Sequence, residues 1–422
     1  MNALLDDLAW RGLMAHVTDP EALGADLDAG SIRFYVGFDP TAPSLHMGNL
    51  LQLVLARRFQ AAGHRPVLVV GGSTGLVGDP RQIGERVLNE KDVVAAWVER
   101  IHQQVTRFVD FEGPAAAIVV NNYDWTVGLG TLDFLRDIGK HFPVNRMLDR
   151  DVVRTRLESG ISYTEFSYVL LQSLDYLELF RQYGCTLQTG GSDQWGNLTA
   201  GVELIRRAEG ARVHALATPL ITKADGTKFG KTESGTVWLD SQLTSPYAFH
   251  QFFLNAEDTM VIDYLKMFLE RSHDEIDELA RLTAEQPQER VAQRALADDL
   301  TDLVHGVEAR KSATTAASAI FGRGDLRDVS AGMLKQVADE LHAGSLARTD
   351  GELPSVVDVL VASGVAKSRA EARRTIQEGG ASVNNQRIIE VDARLTSDDL
   401  LGGRWTFVRR GKKTVGAVCI DN

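Results

Sequence analysis

A chain of 422 residues is too long for one compact core, so two or three domains are expected, and 44% hydrophobic with 24% charged residues is the balance of a globular protein. No apolar run approaches the roughly 18 residues of a membrane helix, and the N-terminus lacks the basic-then-apolar pattern of a secretion signal. The net charge of −12 argues against a general nucleic-acid coat, but residues 353–422 carry 11 Lys/Arg against 8 Asp/Glu and the rest 34 against 49, an acidic body with a basic tail suited to an anionic partner.

Residues 1–30 read as short acidic helices. Ile32–Val36 is a β-branched and aromatic run, a strand. Leu50, Leu51, Leu53, Val54, Leu55 and Phe59 then recur at helical spacing up to Gly63. Between them lies the Gly/Pro-rich loop Gly37–Asn49. A strand, such a loop and a helix N-terminus capped by Ser44 or Thr41 form a ready phosphate site. His46 and Asn49, three apart, share one face of the first turn and both can donate to a phosphate oxygen. Gly48 between them lets a flat group approach the backbone.

Pro66–Val70 and Ala115–Val120 read as buried parallel strands, with helical patterns over 91–109 and 132–142. Alternating strands and helices predict a parallel α/β sheet with ligands at the carboxyl ends of its strands, where Gly37, Gly71-Gly72 and Asn121-Asn122 fall. A helix over 164–183 carries Tyr168, Gln172 and Asp175 at i, i+4 and i+7. Such a polar stripe is commonly a solvated face, but flanking leucines leave either side free to turn inward. Lys223–Thr232 is a polar, Gly-rich, mobile loop whose Lys228 and Lys231 can reach a triphosphate; solvated surface lysines are the plainer reading.

After Thr232 the pattern is mostly helical, over 246–254, 260–270, 273–282 and 287–305. Residues 342–352 read as a linker. Beyond Pro354, Ser368 and Glu371 form a capping box that starts a helix with Arg369, Arg373 and Arg374, and Ile376 toward the core. Ser382–Ile388 reads as a hairpin with an Asn-Asn turn, and 404–420 as two more strands. Cys185 and Cys419 are far apart, which suits free thiols in a cytoplasmic protein.

The loop around His46 and the loop from Lys223 to Thr232 together resemble the paired signatures of class I aminoacyl-tRNA synthetases. Gly71–Pro80, Asn121–Trp125, Phe166–Tyr168 with Gln172 and Asp175, and Gly190–Asn197 are similar, in order and across essentially the whole chain, to the bacterial tyrosyl members of that family. The resemblance implies a Rossmann-like catalytic domain over 1–232 with a dimer-interface insertion near 123–160. An α-helical anticodon-binding domain over 233–341 and a ribosomal-protein-like RNA-binding domain over 353–422 follow it.

The resemblance also implies that L-tyrosine is activated with ATP and Mg²⁺, without a protein-bound metal, and passed to its tRNA. His46, Asn49, Thr41, Lys228 and Lys231 are then the catalytic set. Tyr35, Asp79, Tyr168, Gln172, Asp175 and Gln194 hold tyrosine. Gly37, Asp39, Pro40, Gly48, Gly191, Asp193 and Thr232 join the phosphate-binding residues around ATP. Arg369, Arg373, Arg374, Arg387, Lys412 and Lys413 meet the tRNA.

The chain departs from the commonest class I pattern in three places. Asn49 stands for the second histidine of the first signature. Phe229-Gly230 and Thr232 stand where Met-Ser and Ser are usual. The 81–86 loop carries arginines. Alternative readings are a tryptophanyl-tRNA synthetase, a nucleotidyltransferase, or a catalytically silent RNA-binding relative; the last would be marked by loss of His46, Lys228 or Lys231, all present.

Overall fold

A computed structural model describes residues 2–80, 84, 88–232, 235–411 and 414–421, with the backbone alone at Lys231 and Thr232. The expected 81–86 loop, Gly84 excepted, and the expected tRNA-contact residues Lys412 and Lys413 lie outside the described residues. The chain divides into two compact units, Met1–Leu243 with Glu257–Ala292, and Thr244–Ala256 with Gln293–Asn422. The helices Val261–Phe268 and His273–Glu285, read from sequence as part of the helical domain, therefore pack with the first unit.

Among the described residues the first unit holds a six-stranded sheet built from β1 (His16–Val17), β2 (Arg33–Phe38), β3 (Arg65–Val70), β4 (Ile118–Asn121), β5 (Cys185–Gly191) and β6 (His214–Thr218). Their spatial order is β1-β6-β5-β2-β3-β4; β1 runs antiparallel to β6 and the other pairs are parallel. β2 thus has β3 on one side and the distant β5 on the other. This reversal of strand order opens a crevice at the carboxyl ends, the usual ligand position in open α/β sheets. The inner strands are almost fully buried because helices cover both faces of a parallel sheet.

The helix Tyr163–Tyr183 is capped by Ser162, which accepts from Glu165 N, and stopped by Gly184 at φ 65°. The segment read as one helix over 132–142 is instead a short α turn (Thr131–Asp133), a π turn (Phe134–Ile138) and a 3-10 turn (Gly139–His141). A short antiparallel pair, β7 (Lys231–Thr232) with β8 (Gly235–Thr236), follows the lysine loop.

The second unit carries helices and a five-stranded sheet of β9 (Gly344–Ala347), β10 (Ala381–Val383), β11 (Gln386–Ile388), β12 (Trp405–Arg410) and β13 (Thr414–Asp421), in the order β11-β10-β12-β13-β9. The 342–352 stretch read as a linker thus supplies β9, which pairs in parallel with β13. The Asn-Asn turn is as expected: Asn384 and Asn385 both take positive φ, 45° and 70°, which suits a two-residue hairpin. Ser368 caps its helix by accepting from Glu371 N, while the Glu371 carboxylate accepts from Lys367 N, one residue before the cap.

Candidate active site

A cavity of about 530 Å³ opens at the carboxyl ends of β2 and β5 in the first unit. β2 and its following loop supply Tyr35, Gly37, Asp39 and Thr41. His46, Gly48 and Asn49 come from the N-terminus of helix Met47–Ala61, and Asp79 from the loop after β3. Helix Tyr163–Tyr183 contributes Tyr168, Gln172 and Asp175; the end of β5 and the turn beyond it contribute Gly191, Asp193 and Gln194; Lys228 closes one side. The i, i+4, i+7 stripe therefore faces the cavity. Pro40 does not line it: Pro40 is buried against Gly75, where a Cβ would come within 2.6 Å of the proline ring. The side chains of Lys231 and Thr232 lie outside the described residues.

One end of the cavity is built around Asp175. Its Oδ2 accepts from Asn122 Nδ2 at 2.9 Å and its Oδ1 from Trp125 Nε1 at 2.9 Å. Burial drives its pKa up to about 7; the two hydrogen bonds oppose the rise and the Asp39 charge adds to it. The nearby Tyr35 phenol is buried and its hydroxyl has no hydrogen-bond partner among the described residues. Its pKa is pushed up by burial first and by the Asp175 charge second. An unpaired buried hydroxyl costs roughly 1–3 kcal/mol, a cost that a bound polar group would remove.

Two further carboxylates are held by networks. Asp79 Oδ2 accepts from Gln194 Nε2 at 2.7 Å and its Oδ1 from Asn197 Nδ2 at 3.1 Å; Arg150 donates to Asn197 Oδ1 from behind. Asp39 accepts from Tyr168 Oη at 2.6 Å and from Thr74 Oγ1 at 2.6 Å. Its carboxylate therefore ties β2 to helix Tyr163–Tyr183 as well as facing the cavity. The Tyr168 phenol is held well above its usual pKa, by burial first and then by the Asp39 charge.

The opposite side is the helix N-terminus. His46, rather than Ser44 or Thr41, is the cap: its Nδ1 accepts from Gly48 N at 3.1 Å, and Asn49 Oδ1 accepts from His46 N at 3.0 Å. Ser44 is buried and committed elsewhere, donating to Leu45 O and accepting from Asp240 N. With Nδ1 accepting, a neutral His46 carries its proton on Nε2, and Asn49 keeps its amide hydrogens, so each side chain carries a donor.

The two signatures are joined by backbone. Leu239 N donates to Leu45 O, Trp238 bridges His46, and Val237 N donates to Gly230 O. Gly230 has φ 87°, and a Cβ there would meet Met47 at 2.8 Å, so only glycine fits this crossing.

The sequence reading set Asn122 at a strand's carboxyl end and quoted Trp125, Asn197 and Thr74 within matching motifs, but it assigned none of these, nor Arg150, a contact with the site carboxylates. Arg150 has no sequence signal; it is recognisable only as a half-buried guanidinium behind Asp79, with its pKa lowered by desolvation against the pull of the Asp79 charge.

A family model for class I tRNA synthetases (W and Y) matches residues 27–322, and one for a tyrosine–tRNA ligase C-terminal domain matches residues 334–417. The chain is 63% identical over 418 residues to a tyrosine–tRNA ligase of Cutibacterium acnes, covering 99% of this chain and 100% of that one. It is 56% identical over 421 residues to a tyrosine–tRNA ligase of Kineococcus radiotolerans, covering 100% and 99%. The chain belongs to the tyrosine–tRNA ligase family of class I tRNA synthetases. A solved member, a C-terminally truncated mitochondrial tyrosyl-tRNA synthetase of Aspergillus nidulans, is 30% identical with a TM-score of 0.68, over 75% of this chain and 94% of that one.

In the second unit, Arg369, Arg373, Arg374 and Arg387 are exposed, as a contact surface requires. Arg369 pairs with Asp358 at 2.6 Å and Arg387 donates to Gly379 O at 2.8 Å, so part of this positive surface is held in place by the fold.

Proposed function

We propose that the chain is an ATP-dependent tyrosine–tRNA ligase with two steps in one cavity. A tyrosine carboxylate oxygen attacks the α-phosphorus of ATP, the bond from that phosphorus to the α,β-bridging oxygen breaks, and pyrophosphate leaves. A hydroxyl of the terminal tRNA ribose then attacks the tyrosyl carbonyl, AMP leaves, and the ester forms. Neither step needs a protein nucleophile, since the carboxylate is ionised at neutral pH. The work is positioning and charge neutralisation.

The observation that carries this reading is the unpaired Tyr35 hydroxyl beside Asp175. A phenol in the ligand accepts from Tyr35 and donates to Asp175, satisfying both. An indole N–H only donates and would leave Tyr35 unpaired, which disfavours tryptophan. Asp79, Gln172, Tyr168 and Gln194 suit the substrate ammonium. His46, Asn49, Thr41 and Lys228 suit the phosphates, with Lys231 as the second lysine and Thr232 beside it. Gly37, Asp39, Gly48, Gly191 and Asp193 suit the nucleoside; the buried position of Pro40 makes it a scaffold for the loop rather than an ATP contact.

Mg²⁺ fits as a companion of the triphosphate. Among the described residues no cluster of three or more His, Cys, Asp or Glu is placed to hold a metal, so phosphate oxygens would supply its ligands and it would neutralise their charge.

A homodimer is supported by exposed apolar side chains gathered over a short span of sequence, Val127, Leu132, Leu135, Val144, Leu148 and Tyr163, within or just beyond the insertion near 123–160. Residues 353–422, with Arg369, Arg373, Arg374 and Arg387, would meet the tRNA. A cytoplasmic location goes with free Cys185 and Cys419 and with no described helix long and apolar enough to cross a membrane.

The test is to incubate the protein with ATP, all amino acids and total bacterial tRNA and to identify the esterified amino acid. Tyrosine on a single isoacceptor group is expected; tryptophan, or no ester, would reject the proposal.

A further inference from the structure

Residues Ile221–Phe229, which include Lys228, form a tight hairpin. Phe229 N donates to Ile221 O at 2.9 Å, Lys223 N to Thr227 O at 2.8 Å, and Thr222 bridges Lys228 across it. At the tip, Asp225 Oδ1 accepts from both the backbone N (2.9 Å) and the hydroxyl (2.6 Å) of Thr227. The tip from Ala224 to Lys228 is exposed.

What fixes the hairpin is a buried side chain from another element. Tyr264, on helix Val261–Phe268, donates its hydroxyl to Thr222 O at 2.8 Å on one arm. Its ring lies 4.1 Å from the Phe229 ring, inclined by 31°, on the other arm. The helix end is itself anchored: Arg11 donates to Lys266 O and Leu269 O at 3.3 and 3.1 Å, and Arg58 also donates to Leu269 O.

We propose that Tyr264 is a positioning residue for adenylate formation: by holding both arms of the hairpin from outside the cavity it sets the reach of Lys228 toward the phosphates. This rests on the ligase reading above. A lysine is a point charge on a flexible stem, so its effect on a transition state depends on where its backbone is held. Tyr264 is not among the residues lining the cavity, so its loss should leave tyrosine binding intact.

Single-turnover adenylate formation and equilibrium tyrosine binding, measured on the full chain, test this together with thermal unfolding. Tyrosine-dependent adenylate formation by the unaltered protein checks the ligase reading separately. Tyr264→Leu should slow adenylate formation about tenfold or more, with tyrosine affinity within about twofold of the parent. Tyr264→Phe keeps the ring contact, loses the bond to Thr222 O, and should recover most of the rate. Phe229→Leu should slow the step too, and the double substitution with Tyr264→Leu should lose much less than the product of the two single losses. Should Tyr264→Leu fail to fold, the Tyr264→Phe and Phe229→Leu comparison still decides. A normal rate in both ring-loss variants, a parallel fall in tyrosine binding, or fully multiplicative losses would overturn the proposal.

Discussion

Asp175, the recognition group of the proposed function, is also a liability to the fold as a buried carboxylate. Its pKa of about 7 is far above that of a free carboxylate, so the folded protein holds a proton that the unfolded chain has released. The sign follows directly: stability from this group is full below pH about 4 and is lost as pH rises toward 7. Asp175→Asn removes the buried charge while mismatching one of the donors, Asn122 or Trp125. The stability of the variant relative to the parent should therefore improve between pH 5 and pH 8, by roughly 1–3 kcal/mol, in unfolding measured without ligand. A difference independent of pH would mean that Asp175 is already ionised at pH 5.

Asp175→Ala should cost tyrosine activation about 10²-fold or more while leaving ATP binding close to normal, because the substrate hydroxyl, Asn122 and Trp125 all lose their acceptor in a buried site. Unchanged kcat and KM for tyrosine would remove Asp175 from the recognition site. The i, i+4, i+7 spacing placed Asp175 on one face with Tyr168 and Gln172. It could not place the donors Asn122 and Trp125, which reach it from 53 and 50 residues away.

At the scale of elements, the N-terminus of helix Met47–Ala61 is where the cap of the fold and the phosphate site of the proposed function coincide. His46 caps it through Nδ1, which directs the other ring nitrogen to donate. His46→Ala should lose cap stability of about 0.5–2 kcal/mol and also slow adenylate formation about 10²-fold, with tyrosine affinity little changed. His46→Asn retains a capping acceptor, so it should restore stability and leave the rate low. Recovery of both by asparagine would show that the ring acts only as a cap.

The strand–loop–helix order was legible because β2 and the helix differ sharply in period. β5 and β6 were not singled out: Thr, Gln, Gly and His dilute the apolar runs Cys185–Gly191 and His214–Thr218, and only the sheet around them makes them strands. The 132–142 segment has helical periodicity but carries Gly139 and exposed leucines, and it closes as three unlike turns.

At the scale of the molecule, composition indicated a basic tail, and the 342–352 stretch, read as a linker, set it off as a separate domain. The structure argues otherwise within the second unit. Leu401, Trp405, Phe407, Ala417 and Cys419 share one core with Ala313, Ala316, Ile320, Leu334 and Val337 of the helices. A contact between distant segments like this leaves no trace in local pattern. Deleting residues 353–422 should therefore expose that core, and the truncated chain should bind a hydrophobic dye and lose cooperative unfolding of the second unit. An unchanged unfolding profile would show that the helices stand alone. Arg373→Glu with Arg374→Glu is the better probe of the tail: both side chains are exposed, and the charge reversal should weaken tRNA charging about tenfold or more, with a reduced salt dependence.

The central claim is that this cavity selects a phenol through Tyr35 and Asp175. Amino-acid-dependent ATP–pyrophosphate exchange by the unaltered protein, run with tyrosine, phenylalanine and tryptophan in parallel, tests it without involving the tRNA. Exchange with tyrosine should exceed that with the other two by at least about 10⁴-fold in kcat/KM, the range a buried hydroxyl-binding site provides. Comparable exchange with phenylalanine or tryptophan would contradict it.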